Sequence, residues 1–201
     1  MQGSSVQASL KKGSDLRVAG FLYVVAGTVM FLAISLSETL YPNYSIHHNA
    51  ISDLLATTAN TSIIGEPAGF VWGICWLLGS FYLLRNSGRR GLMILYLLPA
   101  IGVLVAILSP ENVNVTIHSF GAVLAFVPGA IAIILSYRLI RSELRYFVLV
   151  LGIISLLGVM LEFGFYYSDI VQQVLGPGGT ERVIVYPLLA WQMSFGGYFT
   201  K

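Results

Sequence analysis

Apolar residues run along this chain in stretches of about twenty, broken by short polar segments. The runs predict six helices, at roughly Leu16–Leu36, Ile63–Leu84, Leu92–Leu108, Ile117–Leu139, Tyr146–Phe165 and Val183–Phe199. Twenty helical residues rise about 30 Å, the thickness of a bilayer's hydrocarbon core. The pattern therefore predicts an all-α, six-helix transmembrane bundle. Two connections carry a helical period of their own. Ile51, Leu54 and Leu55 share one face, and Val171, Val174 and Leu175 repeat that spacing ahead of Gly176-Pro177-Gly178-Gly179. Short helices are expected there, in the first and third outer loops, lying on the bundle's end or capping it.

Composition agrees with a membrane. The chain is 56% hydrophobic and only 10% charged, against about a quarter charged in soluble domains, so a water-facing surface cannot be assembled from it. The single cysteine, Cys75, lies in an apolar run and has no intramolecular disulfide partner. The first apolar stretch is longer than a signal-peptide core and no A-x-A-like site follows it, so it is expected to stay as an anchor. The expected organisation is a cytoplasmic N-terminal tail over residues 1–15 and a single six-span domain over 16–201.

Charge sets the expected orientation. Lys11, Lys12 and Arg17 precede or open the first span; Arg85, Arg89 and Arg90 fill the second connection. Arg138, Arg141 and Arg145 fill the fourth, and Lys201 ends the chain. Only Arg182 falls in the other connections. Basic flanks resist translocation, which places both termini and the two Arg-rich turns in the cytoplasm. Three N-x-S/T sequons, at Asn43, Asn60 and Asn114, all fall in the opposite, outer connections, where glycans are added. The chain reads as a multi-pass protein of the cell (plasma) membrane.

Small residues and aromatics suggest how the spans meet. Gly121, Ala125 and Gly129 recur at four-residue spacing and permit close helix contact. Inside the bundle that stripe is a packing seam; between two copies it would be a dimer seam. Pro128 is expected to kink its helix. Trp72, Trp76 and Trp191, with the tyrosines near span ends, fit interfacial anchoring.

Ionisable groups other than Lys and Arg gather at the outer level. All three histidines, His47, His48 and His118, are there, with Glu38, Asp53, Glu66, Glu111, Glu162, Asp169 and Glu181. Glu66, His118, Glu162 and the Glu181-Arg182 pair fall at or inside span ends, where an ionisable group needs a partner or a water-filled cavity. Their shared level predicts one outward-opening polar pocket, formed with His47 and His48. Four uses compete for it. The groups could satisfy one another and hold the outer cap in place. They could bind a lipid headgroup, with Arg182 as the phosphate contact. His47, His48 and His118 are of the right type for zinc, although no H-x-x-x-H or H-E-x-x-H spacing occurs. A haem on His118 and a loop histidine is the fourth reading. Ser52-Asp53 has no third group at recognisable spacing, and Asp53 suits a helix-capping role.

Three segments carry a resemblance: Ile51-Ser52-Asp53 in the first loop, His118-Ser119-Phe120-Gly121-Ala122 opening the fourth span, and Trp191-Gln192-Met193-Ser194-Phe195 in the last. Together they resemble the small archaeal and bacterial membrane proteins grouped as domain of unknown function 998. That layout is in turn similar to the six-span FRAG and damage-regulated autophagy modulator proteins. The resemblance implies a six-helix protein tied to lipid remodelling or membrane regulation, with Asp53 and His118 as the positions to test for catalysis. Leu54-Leu55 and Gln192 depart from the family's pattern.

The reading that follows is a non-transporting, lipid-associated protein or an accessory subunit of a membrane complex. An outward-facing lipid hydrolase or transferase, metal-dependent or acid/base, is the alternative. The bilayer, other membrane subunits and a specific lipid are the expected partners, and nucleic acid is not. No Gly-rich phosphate loop or Cys-pair metal motif occurs, so no cofactor is expected.

Overall fold

The computed structural model describes residues 2–85 and 90–200. Arg89 and Lys201, two of the cations used for orientation, lie outside the described residues. All regular structure described is helical: α1 (Gln2–Leu40), α2 (Ile51–Leu55), α3 (Ser62–Leu84), α4 (Arg90–Leu108), α5 (Val115–Ser136), α6 (Leu144–Gly164), α7 (Asp169–Val174) and α8 (Gly176–Phe199). A 3-10 turn, Phe165–Tyr167, links α6 to α7. Among the described residues four helices are long and apolar enough to cross a membrane: Gly13–Leu40, Ser62–Leu84, Val115–Ser136 and Leu144–Gly164. Ile94–Leu108 is a shorter apolar helix. The protein is a membrane-spanning helical bundle.

Residues 2–15 are helical and continuous with the rest of α1. One boundary differs from the sequence reading. α8 begins at Gly176, seven residues before the apolar run that announced it. Pro177 at its start is preorganised for a first turn. Gly176, at φ +63°, turns the chain directly out of α7.

The six long helices close into a ring in chain order. Each packs against the next, and α8 returns to α1. α8 also touches α5 across the ring. With neighbours on three sides it presents little surface to lipid, so its sequence tolerates Gln192 and several glycines.

Close approach sets the register. A Cβ on Gly20 would lie 2.6 Å from the Gly196 carbonyl oxygen, and one on Gly27 would lie 2.9 Å from that of Leu189. These pairs run α1 and α8 antiparallel and bring Glu38 level with the Gly178–Arg182 turn. On the opposite side, Gly102 of α4 and Gly121 of α5 meet backbone to backbone. The Gly121–Ala125–Gly129 stripe is thus an internal seam: Gly121 and Ala125 face Gly102, and Gly129 sits near Pro99, Trp76 and Leu188.

The tryptophans are not interfacial anchors. Trp76 and Trp191 have no exposed surface and Trp72 almost none. Trp191 stacks on Phe195 (centroids 5.2 Å apart), Trp76 lies 6.0 Å from Trp191, and Tyr23 meets both Trp191 and Phe195 edge-on. The indole nitrogens of Trp72 and Trp191 are satisfied inside the bundle, as low-dielectric surroundings demand, whereas Trp76 Nε1 is buried without a hydrogen-bond partner. Trp72 donates to Gln192 Oε1 (2.8 Å). Ser136 gives its proton to the Ala132 carbonyl (2.8 Å) and accepts from Trp191 (3.0 Å) and Tyr96 (2.9 Å). Ser80 works the same way between the Tyr96 carbonyl and the Tyr23 hydroxyl.

Candidate functional site

One end of the ring is covered by α2, α7 and their loops, and there the ionisable residues divide into two groups. The first is an ion pair at the junction of α1 and α8. Arg182 is 5% exposed. Its Nε and Nη2 donate to Glu38 Oε1 (3.2 and 2.9 Å), and Nη1 donates to the carbonyls of Asn49 (2.9 Å) and Gly178 (2.7 Å). Nη2 also meets the Tyr44 hydroxyl, which donates to Glu38 Oε1 (2.7 Å), as Tyr186 does at 3.2 Å. The guanidinium is fully occupied and lines neither cavity described below. It ties the first loop to α8.

The second group surrounds two adjoining cavities. The first, about 620 Å³ including the open space at its mouth, lies under α2, among the end turns of α3, α4, α5 and α8. Glu66, Trp72 and His118 are in its wall. The second, about 1170 Å³ including its open mouth, lies between α5, α6 and the start of α8, with Glu111, Glu162 and Phe163 in its wall. Ser52, His118, Ala122, Phe126 and Glu181 border both.

Helix ends explain how these side chains are held. The last carbonyls of α4 have no intrahelical partner. His118 supplies one: its Nδ1 sits 3.1 Å from the Ala106 oxygen and 3.2 Å from that of Ser109. Only an N–H can face two acceptors, so the neutral ring carries its proton on Nδ1 and leaves the Nε2 lone pair free. At the other polarity, Glu181 Oε2 accepts from the helix-end amides of Ile51 (2.5 Å) and Ser52 (3.4 Å) at the start of α2. Asp53 Oδ2 accepts from the Ala50 amide (3.0 Å) and completes that cap. Ser52 Oγ donates to Glu111 Oε2 (2.9 Å), pinning α2 to the α4–α5 loop.

The residues singled out from the sequence are therefore only partly brought together. Glu66, His118, Glu162 and Glu181 converge on the cavities. Arg182 is turned away to Glu38, and Asp53 is spent on the α2 cap and lines neither cavity. His47 and His48 lie against each other (Nδ1 to Nδ1 3.5 Å), with His47 Nε2 on the Gln173 carbonyl at 3.0 Å. Among the described residues no three His, Cys, Asp or Glu side chains gather as a metal-ligand set, so His47, His48 and His118 do not form one together. Asn43 and Asn60 are exposed, whereas the Asn114 side chain caps α5 by accepting from the Ile117 amide (3.1 Å). Ser52 and Glu111 enter the site through contacts 59 residues apart along the chain, a pairing with no local sequence signal.

The family model for proteins of unknown function designated DUF998 matches residues 24–197. No curated protein and no solved structure matches the chain, so the likeness to the FRAG and damage-regulated autophagy modulator proteins rests on the short motifs alone. The matched stretch runs from the first long helix to the last and includes every cavity-lining residue named above; the chain belongs to the DUF998 family.

Proposed function

We propose that this is a six-span protein of the cell membrane, with both termini cytoplasmic, which holds a lipid in an outward-facing site without transporting it. Two features support the six-span reading. α4 has 19 residues and α8 has 24, or about 28 and 36 Å of helix at 1.5 Å per residue. α8 also owes its lower hydropathy to a position inside the ring. The basic residues support the orientation. A single cysteine placed at Thr57, at the covered end, should react with a membrane-impermeant maleimide on intact cells, and one placed at Arg141 should react only after lysis. Reversed labelling overturns the orientation.

The observation that carries the lipid reading is the path of the larger cavity. It follows α5 from His118 to Val127, about 13 Å along the axis at 1.5 Å per residue. Its edge includes Val123 and Phe163, which are 44% and 56% exposed on helices apolar enough to cross a membrane. An opening between two such helices admits a molecule sideways from the bilayer, acyl chain against apolar walls and polar end toward Ser52, His118 and Glu181. Val123→Trp should fill the mouth and remove co-purifying lipid, measured by mass spectrometry of gently extracted protein. Retained lipid at wild-type stoichiometry sinks the reading, and a protein partner in fixed stoichiometry with no lipid replaces it with an accessory-subunit role.

One observation favours the enzymatic alternative. His118 is oriented by its Nδ1 contacts on the wall shared by both cavities, which Ser52 and Glu181 also line, and its neutral ring keeps an Nε2 lone pair. In a lipid hydrolase or transferase it would act as the general base.

A further inference from the structure

We propose that the polar end of this groove selects a headgroup carrying a protonated amine, and disfavours phosphate. This rests on the lipid-binding reading above. Every charged side chain bordering the two cavities is a carboxylate: Glu66, Glu111, Glu162 and Glu181. No Lys or Arg lines either one. Arg182, the nearby cation, is already shared among Glu38, Tyr44 and two carbonyls.

Hydrogen-bond supply points the same way. His118 spends its N–H on α4 and offers only the Nε2 lone pair. Ser52 spends its proton on Glu111. Glu162 has Thr180 as a side-chain hydrogen-bond neighbour, but its buried Oε2 has no hydrogen-bond partner and can accept a further donor. The chamber is rich in acceptors and poor in donors and positive charge. A primary ammonium brings three N–H donors and the missing charge, and satisfies both shortages at once. A phosphate brings more acceptors and more negative charge. Because the mouth opens between α5 and α6, toward lipid, the occupant is an amine-bearing amphiphile that arrives from the bilayer.

The test uses the full-length protein in detergent and three twelve-carbon probes: a primary amine, the matching alcohol and the matching phosphate monoester. Binding is followed by native mass spectrometry at neutral pH. The amine should bind at one per chain and at least about tenfold more tightly than the alcohol, the scale of one charge-assisted hydrogen bond. The phosphate should bind more weakly than the alcohol. Glu162→Gln, which keeps shape and removes charge, should erase most of the amine's advantage and leave the alcohol's affinity unchanged. Val123→Trp should abolish binding of all three. Equal affinity for amine and phosphate, or an amine preference untouched by Glu162→Gln, overturns the headgroup assignment. If the alcohol still binds in a Val123→Trp-sensitive way, that failure leaves the groove reading standing. If Val123→Trp changes nothing, both fall.

Discussion

Arg182→Met is expected to destabilise the protein by about 3–5 kcal/mol, the range for breaking a buried ion pair from one side. The loss arises mainly in what remains. Glu38 would keep its charge, only 20% exposed, with two tyrosine hydroxyls in place of a guanidinium. The carbonyls of Asn49 and Gly178 would lose their donor. The double variant Glu38→Gln/Arg182→Met should recover a large part of the loss, since removing both charges removes the desolvation cost of each. Thermal unfolding of the detergent-solubilised protein, read by tryptophan fluorescence, measures both variants. If the double variant is as unstable as the single one, the pair acts by geometry rather than by charge. The cavities border neither residue, so lipid retained per folded molecule should change little.

Gly102→Ala should be nearly as damaging, for a different reason. One added methyl group on α4 would lie 2.6 Å from the Gly121 carbonyl oxygen and from the Leu124 carbonyl carbon. Backbone atoms cannot turn aside as a side chain can, so α4 and α5 must separate along their whole contact. Overpacking of this kind costs about 1–3 kcal/mol, and the upper end is expected where both neighbours are backbone. Gly197→Ala is the internal comparison. It is also helical, but nothing lies within 4 Å of its added Cβ, so helix propensity should make it neutral or slightly stabilising. Equal melting temperatures for Gly102→Ala and wild type would show that the α4–α5 contact is looser than described.

These effects also mark what the sequence could convey. Helix identity was legible because the apolar runs are long: α3 and α4 begin within two residues of their expected starts. The short loop helices α2 and α7 were legible from three apolar positions each. The start of α8 was not, because Gly176-Pro177-Gly178-Gly179 reads as a break. Its helical state depends on the first loop lying against Gly176 and Gly178, which no local pattern encodes. The tryptophans misled because an indole suits both a lipid interface and a polar-satisfied core. Only the positions of Ser136 and Gln192 decide between them. For the site, level along the membrane was legible but direction was not. Glu181 and Arg182 are neighbours in sequence, yet one lines the cavities and the other turns to Glu38 of α1, a contact that depends on the α1–α8 register set by glycines far down the helices.

Ring closure by α8 has a consequence for biogenesis. Helices enter the membrane in the order they are synthesised, and the last to arrive sits between the first and the fifth long helices. Until then Trp72 lacks its acceptor on Gln192, Ser136 lacks the indole of Trp191, and Glu38 faces the bilayer interface with no cation beside it. A five-helix nascent chain is thus an open trough lined with unsatisfied polar groups. The arrival of α8 supplies these partners together and is the step that closes the ring.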